Sequence, residues 1–156
     1  MNAVHGEPER RERMPAHGAS MFPFVPAGSM LGLRPRGERA VETGDIVCYP
    51  GSRGEVVAHR VLARRPAFCA TAQGPVWITR GDALRGEEHV AESAIAWVVD
   101  QVEHRGFSYR TDGLIGRLCA RIAVRRGALY FACTHLAHLA VRLRRASRPR
   151  PSPTRS

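Results

Sequence analysis

Turn signals recur through the middle of this chain at intervals too short for helices of ordinary length. They are Gly28-Ser29, Arg36-Gly37, Thr43-Gly44-Asp45, Pro50-Gly51-Ser52, Gly74-Pro75 and Arg80-Gly81-Asp82. Gly, Pro, Asp and Ser interrupt a strand or a helix because they favour backbone conformations that neither element uses. Between them lie the apolar runs Met30 to Leu33, Ile46 to Tyr49, Val56 to Leu62, Val76 to Thr79 and Ile95 to Val102. Short strands joined by tight turns predict a mainly β, α+β fold, a small and strongly bent sheet or partial barrel.

From Leu114 the apolar period becomes helical. Leu114, Leu118 and Ile122 fall on one face with Arg117, Arg121 and Arg125 beside them, and a second helical stretch is predicted from about 129 to 143. Such a segment either covers one side of the sheet or lays its apolar face in a membrane interface with its arginines toward anionic headgroups. A chain of 156 residues holds one domain of ordinary size. The expected organisation is a disordered polar leader over 1–14, a folded domain over 15–112, a basic amphipathic helical segment over 113–145, and a disordered Arg/Pro/Ser tail over 146–156.

The formal net charge is +10, and positions 142–156 hold six arginines and no acid. Such a tail suits an anionic membrane surface, a nucleic acid or solubility alike. It lacks the aromatic residues that would stack on bases, so nucleic acid is not the expected partner. No lysine occurs anywhere, which excludes any mechanism needing a lysine base or Schiff base. Cys48, Cys69, Cys119 and Cys133 form no C-x-x-C pair and read as reduced, semi-buried small hydrophobes; neither a metal nor a cofactor is expected. The segment Met1 to Arg13 has no apolar core, so neither a signal peptide nor an N-terminal anchor is expected. The uncharged run Gly127 to Val141 is shorter than the roughly 20 apolar residues of a spanning helix. The expected location is the cytoplasm or the periphery of a membrane.

Four short motifs carry chemistry. Gly18-Ala19-Ser20-Met21-Phe22-Pro23 has the form G-x-S-M-x-P, a serine after a glycine turn with a proline fixing the exit. Gly44-Asp45-Ile46-Val47 feeds a strand, and Val56-Val57-Ala58-His59-Arg60-Val61 reads as the returning strand, with His59 on the face of Val57 and Val61. Thr79-Arg80-Gly81-Asp82 ends a strand in a turn. In this order the motifs resemble the boxes of the type I signal peptidase superfamily, which also holds the self-cleaving LexA-type repressors. The resemblance runs from about Gly18 to Val102.

That resemblance implies the signal peptidase/LexA-type peptidase fold, with Ser20 as nucleophile and His59 as general base. Relatives use lysine or, in the endoplasmic-reticulum and archaeal type, histidine as the base, and this chain has only the histidine. Asp82 matches the G-D box as the acid orienting His59. Histidine-type relatives carry a further acidic pair where this chain has Glu87-Glu88, so Glu88 is the alternative. The chain departs from the pattern at Ala83, where Asn is frequent, and at Gly28-Ser29, where Gly-Asp is common. The implied activity is that of a serine endopeptidase cutting an extended peptide after small residues, in the processing or maturation of a precursor. The implied partner is that peptide, and the basic segment offers an anionic membrane surface as a second candidate. A second reading is a non-catalytic or self-cleaving regulator on the same fold. With roughly 17 residues before Gly18, the DNA-binding helix-turn-helix of repressor relatives is not expected. His17 reads as a loop residue at the cleft edge, Trp77 and Trp97 as packing residues, and Phe22 and Phe24 as groove-lining or core.

Overall fold

The computed structural model describes residues 12–66 and 74–125. Its strands are β1 (Glu12–Pro15), β2 (Met30–Pro35), β3 (Ile46–Pro50), β4 (Val56–Arg65), β5 (Val76–Arg80), β6 (Glu88–Ala91), β7 (Trp97–His104) and β8 (Phe107–Arg110), followed by helix α1 (Leu114–Arg125). All pairings are antiparallel, in the order β1-β2-β7-β3-β4-β5-β6, with β8 also on β7, and the sheet curls into a half-barrel. Four of the five predicted apolar runs fall wholly on strands, and the fifth does so from Trp97, its first two residues Ile95 and Ala96 preceding β7. The first strand starts at Glu12, within the segment read as a leader, because residues 12–15 pair with 30–33 of β2.

Two strands change partners along their length, which lets the sheet turn. β7 pairs with β3 through Trp97 to Val99 and with β8 from Gln101 onward. β4 pairs with β3 through Val56 to Arg60 and with β5 from Arg60 onward, with an irregularity between Val61 and Ala63. Among the described residues, 56–59 therefore have no partner strand on one edge.

The unbroken apolar run Ile46-Val47-Cys48-Tyr49 follows from its place in the curl, where both faces are covered. Ile46 and Cys48 join Leu31, Leu33, Val99 and Val102 on one face, capped by Met21 and Val25 from the 16–29 loop. Val47 and Tyr49 join Val61, Trp77, Val90, Ile95 and Val98 on the other. The loop is closed at its neck by Ala16 N–H to the Ser29 carbonyl at 2.8 Å and Gly28 N–H to the Ala16 carbonyl at 2.9 Å. The buried Ser29 hydroxyl donates to the Pro26 carbonyl at 2.6 Å.

Helix α1 begins where the periodicity predicts, but its orientation departs from a helix that lays a leucine face on the sheet. Leu114 is 87% and Leu118 57% exposed, whereas Gly116 and Ala123 are buried. Close approach selects the small residues. A Cβ on Gly116 would lie 2.2 Å from the Thr111 carbonyl oxygen, and one on Gly44 would lie 3.0 Å from the Ala120 methyl. The predicted second helical stretch and the tail lie outside the described residues. Among the described residues no helix is long and apolar enough to cross a membrane.

Candidate active site

Ser20 and His59 line one cavity of about 560 Å³. Its walls come from the end of β1 and the loop after it (Met14 to Gly18), from the open edge of β4 (Val56 to His59), and from Glu88. Its floor is apolar, built of Met21, Val25, Leu31 and Ile46. His17 lines it too, as a loop residue at its rim.

The Ser20 loop is held from below. The Ala83 N–H donates to the Ser20 carbonyl at 2.8 Å, and a Cβ on Gly81 would lie 2.6 Å from that same oxygen. Glycine at position 81 is therefore what lets the strand-end turn approach the serine. The Ser20 hydroxyl makes no hydrogen bond to the described residues. The N–H groups of Ser20 and Met21 likewise donate to none of them, whereas that of Phe22 is tied to the Ala19 carbonyl at 3.1 Å.

Strand alternation decides what His59 meets. Val47 pairs with His59, Tyr49 with Val57, Val61 with Thr79, and Thr79 with Glu88, so Tyr49, His59, Thr79 and Glu88 share one face of the curl. The Tyr49 hydroxyl lies 2.6 Å from Glu88 Oε2, 2.9 Å from Thr79 Oγ1 and 3.1 Å from His59 Nδ1. Glu88 Oε2 itself is 3.6 Å from Nδ1. Nε2 has no hydrogen-bond partner among the described residues. Burial lowers the His59 pKa from its ordinary value, with Glu88 and then Asp82 opposing the shift, so the ring favours its neutral form.

Asp82 is placed otherwise than the resemblance implies. Arg60 follows His59 in the strand and points to the opposite face, where it binds Asp82 through Nε to Oδ1 and Nη2 to Oδ2, both at 2.7 Å. Both side chains are buried, and Arg60 Nη1 also donates to the Gly44 carbonyl at 2.8 Å. Its guanidinium lies 5.7 Å from the centre of the Phe24 ring, and the Phe24 carbonyl accepts from the Tyr109 hydroxyl at 2.7 Å. The carboxylate beside His59 is the alternative, Glu88. Asp82 and Arg60 instead pin the loop that carries Ser20.

Tyr49, Thr79 and Arg60 were not singled out from the sequence as site residues. The parity of the 46–50/56–60 hairpin could have found Tyr49, because it lies diagonal to His59 on the same face. Among the described residues no three His, Cys, Asp or Glu side chains gather as a metal site would need. Burial pushes the Cys48 thiol up to about 12, which disfavours its thiolate at neutral pH. The chain matches no family model, no curated protein and no solved structure.

Proposed function

We propose that this cleft is the active site of a serine endopeptidase of the signal-peptidase type that processes or matures a precursor peptide. The observation that carries the reading is a serine whose hydroxyl bonds to none of the described residues, sharing one cavity with a histidine whose Nδ1 is engaged beside an acid. In that reading Ser20 Oγ attacks a peptide carbonyl as His59 Nε2 takes its proton, and the acyl-enzyme is then hydrolysed by water. The N–H groups of Ser20 and Met21, which donate to none of the described residues, are the candidate oxyanion donors. An extended peptide would lie between two open edges, the outer side of β1 and residues 56–59 of β4, and pair with backbone on either side. Met21, Val25, Leu31 and Ile46 fill the floor, which favours a small side chain before the cut.

The test is to incubate the chain and its Ser20→Ala variant with a peptide library prepared from a proteome and to sequence the new N-termini. Cleavage after small residues by the wild type, absent with the variant, is the expected result. A wild type that creates no new termini, or a variant that creates the same ones, would overturn the assignment.

Gly81→Ala probes the support beneath the nucleophile. The added methyl must displace the Ser20 backbone, and a shift approaching 1 Å at a reacting group costs on the order of 100-fold in rate. Overpacking of this kind also costs about 1–3 kcal/mol of stability. The expected outcome is a fall in kcat of that order in protein that remains folded at 25 °C, checked by turnover and thermal melting side by side. Unchanged turnover would show that the turn does not position Ser20.

A further inference from the structure

Glu88 is too far from His59 to orient it directly. At 3.6 Å its nearer oxygen lies beyond an ordinary hydrogen bond to Nδ1, and the Tyr49 hydroxyl is in contact with both groups. That hydroxyl has one proton and three polar neighbours. Burial, reinforced by the Glu88 bond, raises the ionisation of the phenol above its ordinary range, so the proton stays on Tyr49 at neutral pH. A carboxylate can only accept, and 2.6 Å is the length of a charge-assisted O–H···O bond, so the proton is directed at Glu88. Toward its two other neighbours the Tyr49 oxygen must then accept. Thr79 Oγ1 and His59 Nδ1 are thus the donors, and a neutral His59 that donates from Nδ1 has no proton on Nε2.

We infer that Tyr49 is a positioning residue, a phenol bridge that transmits the Glu88 carboxylate to Nδ1 and holds His59 in the tautomer whose Nε2 is free to take a proton. The role follows from register. Tyr49 pairs with Val57, two residues before His59, and Glu88 pairs with Thr79, so the phenol meets the acid, the hydroxyl and the imidazole from one position. The nitrogen that keeps the proton is set by what the other nitrogen meets, and here that partner is a tyrosine oxygen. The bearing of this bridge on turnover rests on the peptidase reading; the tautomer does not.

The experiment is nitrogen-15 NMR of the full chain with labelled histidine at a pH where His59 is neutral, its signals assigned by their loss in His59→Gln. Wild type is expected to show a protonated Nδ1 and a bare Nε2. Tyr49→Phe removes the acceptor, and the proton is expected to move toward Nε2. Glu88→Ala, at a side chain half exposed to solvent, frees the phenol proton to turn toward Nδ1 and is expected to shift the tautomer the same way. This second variant decides the matter if Tyr49→Phe does not fold. A protonated Nε2 in the wild type, or an unchanged tautomer in the folded variants, would overturn the bridge whether or not the chain cleaves peptides. If it does cleave them, Tyr49→Phe lowers kcat by roughly 10- to 100-fold with KM nearly unchanged. A shifted tautomer with an unaltered kcat would leave the bridge standing and count against His59 as the base.

Discussion

Exchanging His59 for Gln is expected to lower kcat/KM on a cleaved peptide by about 10⁴- to 10⁶-fold, and Ser20→Ala by as much. The double variant should be little worse than either single one. In the proposed mechanism nucleophile and base act as one unit, so removal of either already forfeits what both supply, and single-turnover kinetics on the three variants would reveal additive losses if they act separately. The wild-type pH profile carries the same test. Burial lowers the His59 pKa, so the acid limb of kcat/KM should lie below the value of about 6.5 that an unperturbed histidine would give. Stability follows the same linkage. The unfolded histidine binds a proton more readily than the folded one, so its contribution is complete above about pH 6.5 and is lost as the pH falls through the folded value. A limb above 6.5 would mean that Glu88 and Asp82 outweigh burial, and desolvation would then not be what keeps the base neutral.

The strands at the centre of the sheet were legible because their apolar runs and turns follow from burial on both faces. Those at its margins were not. β1, β6 and β8 carry Glu12, Arg13, Glu88, His89, Ser108 and Arg110, and such strands need no apolar alternation because one or both faces meet water. Misreading that margin has a direct cost at the site. The motif Arg80-Gly81-Asp82 is visible in the chain, whereas the face on which Asp82 arrives depends on the β4–β5 register and on the step from His59 to Arg60. With β6 unread, nothing in the chain set Glu88 opposite Thr79 or brought it within reach of Tyr49. The helix shows the same limit. Its spacing identifies α1, but which side it buries depends on close contacts at Gly44 and Thr111, which a pattern of apolar residues does not encode.

Removing Asp82 is expected to damage the fold before it damages the chemistry. Its carboxylate neutralises an arginine that is only 2% exposed, and that arginine also holds the Gly44 carbonyl and lies beneath Phe24. Asp82→Ala strands the guanidinium, a loss of about 3–5 kcal/mol when a buried pair is broken from one side. A domain of this size has roughly 5–15 kcal/mol to lose, so the denaturation midpoint should fall steeply. Arg60→Met strands the carboxylate instead and should cost a similar amount. The pair Arg60→Met/Asp82→Leu removes both charges together and should recover much of the loss, because the two sites share one interaction and their effects cannot add. Glu88→Gln makes the opposite prediction. Its side chain is half exposed, so stability should change little, while turnover falls as the negative charge beside Tyr49 disappears. Denaturant titration and turnover measured on the same preparations separate the two acids. If Asp82→Ala left stability intact and abolished turnover, Asp82 would be the group acting on His59, and the division of labour between the two faces of β4 would be wrong.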